Sequence, residues 1–174
     1  IYDSAPGATD TALALIREGL QELQEFGLIR ESAALAANRV SPAATLADAV
    51  KDADYVQENT AEALDVKREV YRQMDEAAPA HCILASSTST IRTSLFSEGL
   101  KGRHRCIVAQ PVNPPHIVPV VEISPAPWTS AEVVAKTRAL HEKVGQVAIT
   151  VKKEVEGFIL NRLQAALLLE SFRL

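Results

Sequence analysis

His81-Cys82-Ile83-Leu84-Ala85-Ser86-Ser87-Thr88-Ser89-Thr90 is the stretch on which the fold turns. His81–Ala85 reads as a short strand, apolar enough to be covered on both faces, and the hydroxyl-rich run after it reads as a loop. Upstream, Leu64 to about Ala77 is helical, with Val66, Val70, Tyr71 and Met74 inward and charges outward, and Pro79 ends it. Before that helix, Asp54–Gln57 is expected as a strand. Downstream, Arg105–Ala109 is a second apolar strand, Ser130 caps a helix to about Val144, Gly145 stops it, and Val147–Val151 is a last strand. Six of the nine prolines lie between Pro111 and Pro127, so this segment is not a regular central strand throughout, and Val118–Ile123 is expected to pair at an edge.

At the start, Ile1–Asp3 reads as the tail of a strand. Asp10 is the expected cap of a helix whose apolar stripe is Leu13, Ile16, Leu20, Leu23 and Phe26, with Gly27 as its stop. Thr45–Asp48 has the form of a capping box for a short helix reaching about Val50. Strands and helices alternate along the chain. That order predicts an α/β fold, a doubly wound and mostly parallel sheet with helices on both faces. A charged stretch at Lys152–Gly157 is expected to separate a domain spanning residues 1–152 from a new helical domain starting at 157.

The chain has 174 residues, 47% hydrophobic and 23% charged, with a formal net charge of −4. This supports one full core and argues against a polybasic nucleic-acid or membrane-surface binder. No window approaches the ~18 unbroken apolar residues of a membrane-spanning helix. Cys82 and Cys106 are the only cysteines, which excludes a disulfide scaffold or a cysteine-rich zinc module and makes a reducing cytoplasm the expected compartment. Met74 is the only methionine and the last helix pattern has no stop signal, so the chain is expected to be an excerpt of a longer protein.

Ligands of doubly wound sheets sit beyond the carboxyl ends of the strands. The residues to inspect there are Asp3, Glu58–Glu62, Ser86–Thr90 and Gln110–Asn113. Three segments, ASSTST (Ala85–Thr90), QPVNPPHIVPVVEI (Gln110–Ile123) and GFILNR (Gly157–Arg162), resemble the 3-hydroxyacyl-CoA dehydrogenase family, in particular its lambda-crystallin branch of L-gulonate 3-dehydrogenase-like proteins. The intervening DADYVQENTAEALDVKREVYRQMD (Asp52–Asp75) is similar to that family's nucleotide-facing helix.

The resemblance implies a Rossmann-type NAD-binding domain followed by the first helix of an all-α domain that builds a homodimer. It implies oxidation of a 3-hydroxy group on a small hydroxyacid or an acyl-CoA. Residue by residue, Ser89 would hydrogen-bond the substrate's 3-oxygen and lie against the cofactor. Asn161 would help hold the reacting groups, and Asn113 would support the site. Glu122 would orient and charge-stabilise a catalytic histidine. Glu62 and Lys67 would approach the cofactor's ribose and the substrate's polar end, and Asp3 would be the adenosine-ribose acid. The family's Gly-rich loop, expected about 20 residues before that acid, is not in this chain.

Alcohol oxidation needs an acceptor for the hydroxyl proton, which a neutral histidine backed by a carboxylate supplies. Where the family pattern has that histidine, this sequence has Gln110. An amide cannot take a proton at useful pH, and general-base assistance is worth ~10²–10⁴ in rate. Three readings stand beside one another: a correctly shaped but impaired site, His116 as a substitute base, or a protein that is no alcohol oxidant. Among the last, a non-catalytic NAD-binding or crystallin-like structural protein keeps the same fold.

Each residue also has a plain structural reading. Ser89 can cap a turn, Asp3 can serve a turn, Glu122 can point outward with Val120 and Ser124, and Asn161 can face solvent. His81, His104 and His141 are expected at the surface. Cys82 and Cys106 are expected as packing thiols, and Phe158, Leu160, Leu163, Leu167 and Leu168 as a helix-packing face.

Overall fold

A glycine decides where the first helix starts. In the computed structural model, which describes residues Ile1–Leu174, Gly7 adopts φ 77° and α1 runs Ala8–Glu25. Asp10 is therefore not the cap; it lies in the first turn, where its charge still complements the amide end of the helix. The cause is local, since a left-handed residue redirects the chain here and glycine adopts it without a Cβ clash. Gly27, at φ 67°, follows the other end as expected. Leu13 is the buried member of the stripe, whereas Phe26 at its far end is exposed.

α2 (Ala33–Ala37), too short to show a periodicity, is capped by the Ser32 hydroxyl. α3 (Leu46–Val50) starts with the Thr45 hydroxyl accepting from the Asp48 amide at 3.0 Å. That is half of a capping box. The Asp48 carboxylate accepts from the Thr45 hydroxyl at 2.7 Å, because aspartate lacks the methylene with which glutamate turns back to the cap amide. Ile1–Asp3 forms no strand; its links to the chain are the Ile1 amino group, which donates to Ser41 O at 2.6 Å, and the Ile1 carbonyl, which accepts from Ala43 N at 2.8 Å. These residues make up one compact unit, Ile1–Asp52, and Ala53–Leu174 make up a second.

The second unit is built on a five-stranded sheet in the order β1 (Tyr55–Glu58), β2 (Ile83–Ser86), β3 (Cys106–Pro111), β4 (Val120–Pro125) and β5 (Val147–Thr150). All neighbours are parallel except β3 and β4. With helices flanking it, this is the expected mostly parallel, Rossmann-like α/β sheet. One expectation fails: β4 is internal, paired with β3 on one side and β5 on the other. The prolines allow it because Pro111 and Pro125 end their strands and Pro119 precedes β4, so their missing amides fall at the margins of the ladder.

Strand alternation sorts the side chains onto two faces. Ile83, Ala85, Ile107, Ala109, Val121, Ile123 and Ala148 pack with Val133 in one core cluster. Val133 belongs to α6 (Ala131–Lys143), which the Ser130 hydroxyl caps and Gly145, at φ 89°, follows. The opposite face carries Leu84, Ser86, Val108, Gln110 and Glu122. Its covering helices are α4 (Leu64–Ala77) and α5 (Thr93–Ser97), whose Tyr71 and Phe96 rings meet at a 44° tilt with centroids 4.4 Å apart. α4 has the expected bounds, but its buried residues are Lys67, Tyr71 and Met74, while Val66 is exposed. The helix is rotated from the expected face because Lys67 has an acidic partner inside.

His141 is not a surface residue. It is buried on α6, with Nδ1 2.6 Å from Gln146 Oε1 and Nε2 3.1 Å from the Tyr55 hydroxyl. Burial pushes the Tyr55 hydroxyl's pKa up, so it stays a donor, and it donates to Gln57. Gln57 in turn donates to the Ala109 carbonyl, which lies beyond the last β2–β3 pair, Ser86 and Val108. Cys82 and Cys106 are buried, and burial pushes the Cys106 thiol up to about 12, with Asp75 adding to it and Arg105 opposing. α7 (Leu160–Ser171) follows the buried Phe158, but its Leu163, Leu167 and Leu168 are exposed. Residues 152–157 run inside the second unit, where Glu154 accepts from Ser94 N at 2.8 Å. No helix is long and apolar enough to cross a membrane, and no cluster of metal-ligating side chains is present.

Candidate functional site

Parallel strands end together, so the carboxyl ends of β1 and β2 bring their acid and hydroxyl residues side by side. Glu58 and Ser86 are register partners there. The buried Glu58 carboxylate accepts from the Ser86 hydroxyl, from the amide and hydroxyl of Thr60, and from Lys67 Nζ at 3.0 and 3.1 Å. Lys67 is only 1% exposed. A buried ammonium of this kind persists only with a fixed counter-charge and filled hydrogen bonds. Glu58 is the residue that sequence reasoning passed over in favour of Glu62. An acid closing a strand, nine residues before a lysine on the following helix, was the available signal.

Glu62 stands at the mouth of this cluster, its carboxylate about two-fifths exposed and 3.7 Å from Lys67 Nζ. Its Oε1 accepts from the Thr88 hydroxyl, the Thr90 hydroxyl at 2.7 Å and the Thr90 amide at 3.1 Å. Partial burial pushes the Glu62 carboxyl up, but the Thr88 and Thr90 hydrogen bonds and the Lys67 charge outweigh it and hold it below its ordinary range. The Ser/Thr run is thus threaded onto two acids. Ser87 joins it by donating from its amide and hydroxyl to the Glu58 carbonyl. Glu62 and Lys67, both assigned to the cofactor by resemblance, meet in this network, with Lys67 acting from underneath.

Ser89, half-buried in the same loop, is held through its carbonyl, which accepts from Asn161 Nδ2 at 2.8 Å. Asn161 therefore faces the loop from the first turn of α7. The approach to that turn is tight: Gly157 has φ 72° and Phe158 φ 48°. A positive φ is rare for a bulky residue, and here the fully buried Phe158 ring holds it.

Glu122 receives the start of α7. Its Oε1 accepts from Ile159 N at 2.8 Å and Leu160 N at 3.0 Å, as a carboxylate does at the positive end of a helix. It is 2% exposed, so it does not point outward with the solvent-facing residues that alternation alone allows. Gln110, 7% exposed, is its register partner on β3. Glu122 Oε2 and Gln110 Oε1 are both buried without a hydrogen-bond partner. The Ser89 loop and Asn161 thus meet the start of α7, which Glu122 holds beside Gln110.

Asn113 and His116 are exposed, on the proline-rich crossing between β3 and β4 that contains the cis Asn113–Pro114 bond. Asp3 belongs to the first unit, is exposed, and accepts from Ala5 N at 2.8 Å in a local turn.

The sequence profile of the 3-hydroxyacyl-CoA dehydrogenase NAD-binding domain matches residues 1–155. The chain is 40% identical over 176 residues to lambda-crystallin of Oryctolagus cuniculus, covering 100% of this chain and 55% of that protein. It is 34% identical over 173 residues to L-carnitine dehydrogenase of a Pseudomonas species, covering 99% and 53%. The crystal structure of (S)-3-hydroxybutyryl-CoA dehydrogenase from Ralstonia eutropha superposes with TM-score 0.90 at 27% identity, covering 98% of this chain and 60% of that one. The chain thus spans about half the length of the relatives it matches. By sequence and by fold, it belongs to the 3-hydroxyacyl-CoA dehydrogenase family and carries that family's NAD-binding domain.

Proposed function

We propose that the protein carrying this chain is an NAD-dependent dehydrogenase of a 3-hydroxy group, on a small hydroxyacid such as L-gulonate or carnitine or on a 3-hydroxyacyl-CoA, with proton transfer slowed by Gln110. The observation that carries this reading is the convergence of the Ser89 loop, Asn161, Gln110 and Glu122 at one rim of the sheet. The similarity to lambda-crystallin and L-carnitine dehydrogenase supports the small-acid branch.

The residues suit a dinucleotide. Glu62 offers an exposed, ionised carboxylate held rigid by Thr88 and Thr90 at the carboxyl end of parallel strands, where a ribose hydroxyl is best received. Glu62, supported by Lys67, the Ser89 loop and Asn113 would hold the cofactor, and the resemblance alone gives Asp3 the role of its ribose acid. When bound, NAD supplies the nicotinamide that accepts the hydride. The chain's own groups do the rest. Ser89 and the Asn161 amide steady the substrate oxygen as charge develops on it. Glu122 holds the start of α7. Gln110 can hydrogen-bond the hydroxyl but cannot remove its proton, which passes to water instead, and this slows the step. The protein is proposed to act in the cytoplasm as a homodimer, with the helical domain beginning near Gly157; the exposed Leu163, Leu167 and Leu168 support a packing partner for α7.

The same Gln110 favours a second reading, a non-catalytic NAD-binding or crystallin-like structural protein. Reduction of NAD with L-gulonate, carnitine and a short 3-hydroxyacyl-CoA separates the two. The dehydrogenase reading expects measurable turnover that Gln110→His raises at least about tenfold, toward the ~10²–10⁴ of general-base assistance. NAD binding without turnover, and no gain from Gln110→His in a folded protein, sinks it. His116→Ala leaving residual turnover unchanged removes His116 as a base.

A further inference from the structure

The buried side-chain atoms without a partner are Gln110 Oε1, Glu122 Oε2, Ser124 Oγ and Thr137 Oγ1. The last two are hydroxyls, which rotate toward whatever acceptor is near. The first two are acceptors on register partners, on one face of an antiparallel pair, where facing Cβ atoms lie about 4.5–5.5 Å apart. Glu122 cannot swing away to find a donor, because Ile159 N and Leu160 N hold its other oxygen. Gln110 can supply one. A carboxamide has the same shape with either end inward, and its hydrogen-bonding neighbours decide which end points where. Turning Nε2 toward Glu122 Oε2 satisfies the orphaned carboxylate oxygen. It also puts Oε1 where Nε2 stood, an end of the amide that makes no hydrogen bond within the chain.

We propose that Gln110 donates from Nε2 to Glu122 Oε2 and presents Oε1 to the site as a fixed acceptor, so that the site holds a ligand's secondary hydroxyl in preference to the corresponding ketone. The inference rests on the hydroxyl/ketone reading of the site given above. A hydroxyl donates its hydrogen to Oε1; a ketone brings only lone pairs and leaves two acceptors facing each other. A histidine in this place serves both ligands by changing protonation. A carboxamide locked by a carboxylate does not. Glu122 is then a positioning residue that sets ligand preference through Gln110.

The test is calorimetric binding of 3-hydroxybutyryl-CoA and acetoacetyl-CoA to the protein carrying this chain. Both titrations are run with saturating tetrahydro-NAD, a reduced analogue that cannot transfer hydride. The hydroxy ligand binds at least about tenfold tighter, in line with the larger penalties seen where a site made to bond a hydroxyl meets an analogue without one. Glu122→Gln, whose own amide can donate and so frees Gln110 to turn, brings the two affinities within about twofold of each other. Gln110→Leu, which keeps Glu122 and the start of α7 in place, also erases the preference. Gln110→His makes it pH-dependent near about pH 6.5, hydroxyl favoured above and ketone below. Equal binding of both ligands to the unaltered protein overturns the inference and leaves the functional reading standing. Binding of neither overturns the inference together with the acyl-CoA part of the functional reading, and leaves its small-hydroxyacid part standing. A preference that survives Gln110→Leu also overturns the inference.

Discussion

Glu58 at the end of β1 and Glu122 in β4 lie on the same face of one sheet, and both are almost fully buried. Yet they are finished in opposite ways. Glu58 is enclosed by donors on both oxygens: a lysine ammonium, a serine hydroxyl and both donor groups of Thr60. Glu122 has one oxygen filled by two amides of α7 and one left open beside Gln110. A buried acid whose every lone pair is met is a structural strut, because any further partner would displace one already there. A buried acid with an open oxygen keeps the capacity to act on something else. The contrast separates scaffold from site on one surface of the molecule.

The largest effect expected from disturbing this comparison is at the strut. Lys67→Met leaves Glu58 buried without its counter-charge and should cost about 3–5 kcal/mol, read as a lowered denaturation midpoint with an unchanged slope. Adding Glu58→Leu should recover only part of this, since the Ser86 and Thr60 donors then lose their acceptor. An unchanged midpoint in the single variant would show that the pair is not closed as described.

Glu122→Ala should cost less, about 1.5–3 kcal/mol, the worth of hydrogen bonds to a charged group. The damage should be local. Hydrogen exchange at the Ile159 and Leu160 amides should accelerate while the β2 and β3 amides keep their protection. Loss of protection across the whole sheet would mean that Glu122 is as structural as Glu58.

The smallest effect lies at Glu62, between the two. Its carboxyl titrates below the ordinary range in the folded protein. The stability it contributes is therefore complete above the unfolded value of about 4.3 and is lost as pH falls through the lower native value. Thr90→Val removes one of the donors that hold it down. The variant should therefore melt lower near neutrality, and the gap should close as pH falls through the native value, giving a smaller acid-induced fall in melting temperature. Superimposable acid limbs would refute the role given to Thr90.

Much of this was legible beforehand, and the failures have specific causes. The bounds of α4, Leu64–Ala77, follow from local periodicity and from Pro79, both written in adjacent residues. Its inward face was misread at Val66 because hydrophobicity does not announce that a lysine has a buried acid waiting for it. His141 was placed at the surface for the same reason: its partners Tyr55 and Gln146 come from other elements. Proline content marked the crossing between β3 and β4 but not β4's internal position, which depends on where each missing amide falls in a ladder. At the site, the resemblance named Ser89, Gln110, Glu122 and Asn161, whereas Glu58 carried no motif to single it out.

The order of strands and helices, their approximate ends and the two-sided burial of the sheet follow from the linear pattern, because alternation, capping and chain breaks act between near neighbours. Three-dimensional pairing alone set Gln110 opposite Glu122, turned Lys67 inward onto Glu58 and brought Asn161 against the Ser89 loop. The worth of a buried polar group depends on what stands within hydrogen-bonding distance, and those partners are separated by nine to 72 positions along the chain.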